Sequence, residues 1–511
     1  MMDAYICGNK AKKDNSTTPF NLTITALVHR RYLQIPANSH GTLPTGVPLH
    51  PSIMAPVENV DIDSKHSSSR FVKSSTSLSE RISRLRAAVQ LLVSASEDVI
   101  SAWEADPSSV IFEPGALLGV PSHKLYNARQ TIEGAVGTCL ELVQDPRQRL
   151  LEMTYQFHDA RALHIAAEAR IAEILDKGDK DNGVSIQSLG DQTGIQKQKL
   201  MRILRTLCSN HIFAEVSNGF FTNNYVSDQL LNNEPFLAYI ICPPSTGYDA
   251  CVKLPEYVFT NQSESNNRIP FQLARGSDQT LFEWLEQPIV LPDGTRSARP
   301  ELEMLALSMV GIGRVQGPPL HLDYPWDELR DATVVDVGGG IGGMCIDLSR
   351  KYPDLKFVVE DRPSVVEQAP EVWQQEHSAA LQAGRVKFIA HDFFTEQPIK
   401  NAEIYHLRYI LHNWSDQDCI RILSALVPAL GPTSRILISD QVVRTTCASQ
   451  HFKVAPYPLL ANYGFAHRFI HQMDLVMMSQ VNGRERTSEE LEVLAGKAGL
   501  EVARMCTDYM Q

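Results

Sequence analysis

Nine cysteines are scattered over 511 residues without a single Cys-x-x-Cys pair. An odd, dispersed set supplies neither a disulfide framework nor a zinc site and reads as reduced thiols in a cytoplasmic protein. No metal site is expected. No run of about 18 apolar residues occurs, which excludes a membrane-spanning helix. The first 13 residues have no apolar core beside their basic residues, so no secretory leader is expected. The sequons at Asn15, Asn21, Asn261 and Asn413 then read as chance matches. Positive charge is in deficit: 47 Lys and Arg against 59 Asp and Glu leave a net charge of −12. That balance argues against a general affinity for nucleic acid or for an anionic membrane. What is present is ordinary for a globular protein, 43% hydrophobic and 21% charged, in a chain too long for one core.

Residues 1–73 stand apart. Ser, Thr, Asn, Pro and His dominate 15–69, and such a composition buries too little surface to offset chain entropy, so a disordered extension is expected. Residues 74–330 read as helical. Ser77 and Glu80 make a capping box, after which Leu78, Ile82, Leu85, Val89, Leu92, Val99 and Trp103 recur at helical spacing. Two further helices are expected at 125–143 and 147–175. Their wide apolar stripes suit packing between two copies of the chain, or an internal bundle. At 184–227 a helix, a Gly194 turn, a second helix and the hairpin around Ser217-Asn218-Gly219 describe a winged helix. Its second helix carries Lys197, Lys199, Arg202 and Arg205, but Leu200, Ile203, Leu204 and Leu207 account for that helix by packing, and the acidic chain disfavours DNA.

From Asp331 to the end, strands alternate with helices, the mark of a mainly parallel sheet. The first strand, Val334 to Val337, runs into Gly338-Gly339-Gly340-Ile341-Gly342-Gly343 and a helix start. Glycine is required where the turn takes positive φ and a ligand approaches the backbone. Gly338, Gly340 and Gly343 match a dinucleotide spacing, but Asp336 inside the strand would repel a pyrophosphate. It suits the ammonium end of S-adenosylmethionine, which has no phosphate. The next strands end at Asp361, at Asp392-Phe393, at Arg408 with His412 beyond it, and at Asp440. These side chains share one rim, where open α/β sheets bind ligands. Asp361 is placed for ribose hydroxyls, and Asp392 with Phe393 for an adenine ring.

Four segments, Asp336 to Gly342, Asp361 to Val366, Asp392-Phe393-Phe394 and Leu411-His412-Asn413-Trp414-Ser415-Asp416, resemble the plant caffeate-type and fungal small-molecule O-methyltransferases. The resemblance extends over about 150–505. It implies a Rossmann-like catalytic domain at 331–511 behind an all-α dimerisation region with a winged helix. It also implies S-adenosylmethionine as cofactor, a homodimer and a small aromatic acceptor. His412 falls on the family's catalytic base, and Asp440 and Glu485 on the carboxylates that orient it. Asp336, Gly338, Gly340, Asp361, Asp392, Phe393 and Arg408 are implied cofactor contacts. Asp440 stands where glutamate is usual, Asn413 where aspartate is, and Arg408 where lysine is frequent. Leu500 to Cys506 can supply strand six, after which Thr507 to Gln511 leave room for a turn but not for the family's last inserted strand.

The chemistry expected is direct methyl transfer to oxygen. A phenol and a histidine differ by about 3.5 pKa units, roughly 5 kcal/mol, which a neighbouring sulfonium and carboxylates beside the imidazole would reduce. Phe282, Trp284 and Met309 are pocket-wall candidates. Transfer to nitrogen or carbon, or cofactor binding without catalysis, would keep the same rim.

Overall fold

The computed structural model describes residues 77–110, 121–260, 268–316 and 324–505. The segment expected to be disordered and residues 506–511 lie outside the described residues. No helix among the described residues is long and apolar enough to cross a membrane.

Helix α1 (Leu78–Ala105) starts at Ser77, whose Oγ accepts the Glu80 N–H. It lies along α2 (His123–Val143), with Ala95, Val99, Leu125 and Ala128 buried between them. The single helix expected over 147–175 is three: α3 (Pro146–Tyr155), α4 (Phe157–Glu168) and α5 (Ile171–Asp176). Arg170 takes φ +54°, and this left-handed residue breaks the run. The break turns Ile171, Ala172 and Leu175 into the core made with Leu200, Leu204 and Leu207.

The winged helix comprises β1 (Val184–Ser185), α6 (Ile186–Thr193), α7 (Lys197–Ser209), β2 (Ala214–Ser217) and β3 (Phe220–Thr222), with strands in the order β1-β3-β2. Gly194 ends α6 at φ +72°, a conformation that glycine adopts without strain. Leu200, Leu204 and Leu207 are buried, and Arg205 on the opposite face pairs with Glu215 at 2.7 Å.

A helical layer then leads to the sheet: α8 (Glu234–Phe259), α9 (Pro270–Arg275), α10 (Leu281–Glu286), the hairpin β4 (Ile289–Val290) and β5 (Arg296–Ser297), and α11 (Pro300–Gln316). Gly311 of α11 lies so close to the Pro235 carbonyl of α8 that a Cβ would overlap it.

The remaining elements are β6 (Thr333–Val337), α12 (Gly343–Lys351), β7 (Lys356–Asp361), α13 (Pro363–Val366), α14 (Ala369–Gln382), β8 (Val386–Ala390), β9 (Ile404–Arg408), α15 (Asp416–Leu426), β10 (Arg435–Ser439), α16 (Arg468–Val481) and α17 (Ser488–Lys497). The five strands pair in parallel in the order β10-β9-β6-β7-β8. Alternate residues feed two cores. Val334, Phe357, Val359 and Ile404 face Trp326, Leu348 and Trp373, whereas Val335, Val337, Val358, Tyr405 and Leu407 face Ile422, Leu426 and Leu494. Burial on both faces is what a parallel sheet between helices requires. The chain runs outward from β6 through β7 and β8, then returns to place β9 on the other side of β6. Open α/β sheets form their ligand crevice at such a reversal, here beyond the carboxyl ends of β6 and β9.

Strand six is not seen at 500–505. Leu500 and Met505 pack against the second core and no ladder forms there, since the Leu500 N–H turns back to the Ala495 carbonyl.

Candidate active site

The glycine loop leaves β6 at the mouth of the crevice. Gly338, Gly340 and Gly342 have φ of +71°, +62° and +82°. A Cβ on Gly338 would stand 2.7 Å from Ile410 Cδ1 and 3.4 Å from Phe393, so the loop is wedged between β9's extension and the aromatic turn after β8. A Cβ on Gly342 would lie 2.9 Å from the Trp373 Nε1, which itself donates to the Ile341 carbonyl at 2.9 Å and pins the loop to α14. Gly340 and Gly343 instead face open space.

Asp336 departs from its expected position. It is 2% exposed, folded beneath Gly339. Its Oδ2 accepts from Cys345 Sγ at 3.2 Å and its Oδ1 lies 3.7 Å from His406 Nδ1. His406 continues inward to Ser439 Oγ at 2.8 Å. A strand-end acid of a buried sheet points into the helix layer here, so Asp336 supports the loop from below and does not open onto the rim. Burial pushes the Cys345 thiol well above its ordinary range, and the Asp336 carboxylate adds to that.

Asp361 does reach the loop. Its Oδ2 accepts the Gly340 N–H at 2.8 Å and its Oδ1 the Arg362 N–H at 2.7 Å. Burial raises its carboxyl above the usual range, against the pull of those two bonds. Asp392 is exposed, and its Oδ1 accepts the Phe394 N–H at 3.0 Å, which shapes the turn that presents Phe393. Phe393, Phe394 and Trp414 form an aromatic cluster with ring separations of 4.8–5.9 Å. Arg408 stands over the Tyr409 ring at 5.2 Å. Phe282 lies under Arg362, which also pairs with Glu286 at 2.7 Å and ties α10 to the rim. Trp284, by contrast, is a core residue, sandwiched between Arg275 and Arg299 and packed on Phe271. Met309 is exposed.

His412 sits on a single 3-10 turn (Leu411–Asn413) after β9. Its Nδ1 is 2.9 Å from Glu485 Oε1. A carboxylate only accepts, so Nδ1 carries the proton and Nε2 holds the lone pair. Nε2 has no hydrogen-bond partner among the described residues. Burial alone would depress the imidazole, but the Glu485 bond, the charges of Asp440 and Glu485 and the Tyr409 backbone outweigh it and hold the pKa above its ordinary value.

Asp440 takes a different place from the one expected of an orienting carboxylate. It accepts the N–H groups of Ile410 (3.1 Å) and His412 (3.0 Å), not the ring. With a side chain one methylene shorter than glutamate, it fixes the backbone that carries the histidine. Burial raises its own carboxyl.

Three groups stay hidden in the sequence. Arg486, 3% exposed, donates to the Leu411 and Trp414 carbonyls at 2.8 and 2.7 Å and to Asp416 Oδ1 at 2.9 Å, clamping the loop around His412. Gly483 abuts the His412 carbonyl, where no side chain would fit, and Arg484 N–H donates to that carbonyl at 2.9 Å. Tyr409, at φ +54°, stacks on the His412 ring with centroids 5.6 Å apart. A bulky residue with positive φ is a signal visible only in three dimensions. Among the described residues no cluster of His, Cys, Asp or Glu could hold a metal ion.

A family model for the O-methyltransferase domain matches residues 327–501, and one for the O-methyltransferase dimerisation domain matches 151–233. O-methyltransferase gedA of Aspergillus terreus is 40% identical over 461 residues, 84% of this chain and 95% of its own length. O-methyltransferase tpcA of Aspergillus fumigatus is 41% identical over 454 residues, 82% of this chain and 94% of its own. Among solved structures, CalO1, a methyltransferase in calicheamicin biosynthesis in its SAH-bound form, superposes with a TM-score of 0.52 at 27% identity, covering 71% of this chain and 95% of that one. The chain belongs to the O-methyltransferase family and is an O-methyltransferase with the family's dimerisation domain. The methyl donor of that family is S-adenosylmethionine.

Proposed function

We propose that this O-methyltransferase methylates a phenolic hydroxyl of a small secondary metabolite, with His412 as general base. The observation that carries the reading is the His412–Glu485 pair, in which the carboxylate takes the Nδ1 proton and leaves the Nε2 lone pair to act as base. S-adenosylmethionine supplies, when bound, a methyl group on a sulfonium that an oxygen nucleophile can take directly. The residues fit that group: Gly340 and Gly343 leave room, Asp361 offers a carboxylate to a ribose diol, and Phe393 an apolar face. Asp336 supports the turn from beneath and Arg408 borders it.

His412 Nε2 takes the phenol proton as the oxygen attacks, and Glu485 stabilises the imidazolium that forms. Asp440, through two backbone amides, and Arg486, through two carbonyls, hold the turn in place so that alignment costs no reorganisation at the moment of transfer. Incubating the full chain with methyl-labelled S-adenosylmethionine and a panel of phenols, anilines and carbon acids tests this. Label on phenolic oxygen that depends on His412 is expected. Transfer only to nitrogen or carbon overturns it.

The active form is a homodimer. Leu150, Leu151, Met153, Tyr155 and Phe157 expose 54–68% of their surface along one stretch of α3 and α4, where the segment matched by the dimerisation domain begins, and a run of exposed apolar side chains suits a subunit contact. Sedimentation of a stable monomer at micromolar concentration would overturn that assignment. The seven described cysteines form no disulfide with one another, and we assign the protein to the cytoplasm as a proposal.

A further inference from the structure

Two residues past β10, Gln441 makes a bond that the proposed catalytic machinery does not use. Its Nε2 donates to Gln316 Oε1, at the end of α11, at 3.1 Å. The same oxygen accepts the Tyr409 hydroxyl at 2.8 Å, so both its lone pairs are taken. Arg408 donates to the Tyr409 hydroxyl, which therefore gives its own proton to Gln316 Oε1, and that oxygen in turn takes the Gln441 amide nitrogen as donor. Gln441 Oε1 is then buried with no hydrogen-bond partner. A buried acceptor left unpaired is costly, and a donor brought to it by water or by a ligand relieves that cost. The place is apt. Gln441 follows Asp440, which holds the His412 amide, and the tyrosine that steadies Gln316 is the one stacked on the His412 ring.

We propose that Gln441 is a specificity-determining residue whose Oε1 accepts a hydrogen bond from a second hydroxyl of the acceptor, which makes the preferred substrate class polyhydroxylated aromatics. This rests on the phenol-methylating function above. Gln316 and Tyr409 are positioning residues that aim the amide. Two donors could satisfy the oxygen, the acceptor's hydroxyl or the ammonium of the cofactor, and the test separates them.

The probes are matched pairs: resorcinol against phenol, and 1,8-dihydroxynaphthalene against 1-naphthol. With the native full-length protein, kcat/KM should favour the dihydroxy member of at least one pair by about tenfold, mostly through KM. In Gln441→Met the preference should fall to within about twofold, with the monohydroxy substrate scarcely affected and the Kd of S-adenosylhomocysteine unchanged. Gln316→Leu, which frees the amide without removing it, should give an intermediate preference. Thermal melts of both variants guard against misfolding. A native enzyme with no preference overturns the proposal, as does a preference that survives Gln441→Met. Loss of S-adenosylhomocysteine affinity with the preference intact assigns the oxygen to the cofactor instead. Failure of the native protein to methylate any phenol falls on the underlying function, and the proposal goes with it.

Discussion

The proposed cofactor cradle and the proposed catalytic base both follow the carboxyl ends of the strands but are built in opposite ways. The cradle is more local: strand, glycine turn and helix follow one another within 333–351, and the hydrogen bonds that tie the turn down, from Gly340 to Asp361 and from Trp373 to Ile341, span 21 and 32 residues. The base is assembled from afar. His412 depends on Asp440, 28 residues on, and on Glu485, 73 residues on, and its turn is clamped by Arg486 across 75 residues from Leu411. Binding is thus written into one stretch of backbone, whereas proton transfer is available only once the whole domain has closed. Damage to the two should separate in the measurements.

The sharpest separation comes from His412→Ala. Its kcat should fall by ~10²–10⁴-fold while calorimetry shows S-adenosylhomocysteine affinity nearly unchanged. Equal losses in both would dissolve the distinction. Arg486→Leu comes next. It removes the charged donors to the Leu411 and Trp414 carbonyls and the partner of Asp416, so urea unfolding should report a loss of about 2–4 kcal/mol. A misaligned His412 should also cost up to ~10²-fold in kcat, again with the cofactor still bound.

Gly338→Ala attacks the other region. Its φ of +71° and the 2.7 Å approach to Ile410 strain any side chain. Affinity for S-adenosylhomocysteine should therefore weaken by about tenfold while kcat at saturation holds. A fall in kcat alone would show that the loop serves chemistry more than binding.

The smallest effect is in pH. His412 is held above its ordinary pKa, so its basic form is lost as pH falls through that raised value, and kcat/KM drops on the acid side accordingly. Glu485→Gln keeps an acceptor for Nδ1 but removes the charge, so the acid limb should move to lower pH. The linked stability has the opposite sense. The pair's contribution is complete below the ordinary imidazole value and is lost as pH rises through the raised one, so the stability gap between native and variant should narrow with rising pH. An acid limb that does not move would take Glu485 out of the base's control.

The same contrast explains what could be read from residues alone. The sheet strands were legible because buried β-branched runs bounded by charge mark themselves, and β7, β9 and β10 end at Asp361, at Arg408 and directly before Asp440, as the pattern predicts. The winged helix was legible through Gly194 and the Asn218-Gly219 turn. What stayed hidden was long-range. Arg170 looks like any helical arginine until its φ is known, and Arg486 like a surface charge until three partners from 411–416 surround it. The course of Asp336 into the helix layer depends on Cys345 and His406, neither of which carries a motif. Helix α8, with prolines at 243, 244 and 255, has a composition that reads as broken, and its packing on α11 overrides that propensity.

One contact between the halves has a mechanical meaning. Gly134 of α2 lies where a Cβ would stand 2.7 Å from the Tyr463 carbonyl, and Gly137 where one would stand 2.7 Å from the Phe465 ring. Phe465 is itself held between Arg149 and Arg468, and Arg468 opens α16, the rod whose Asp474 anchors the Glu485 amide. The first long hairpin of the chain therefore bears directly on the support of the histidine. Two glycines thus act as a bearing surface: a side chain at either would push on the loop that opens α16, and through Asp474 on the Glu485 amide.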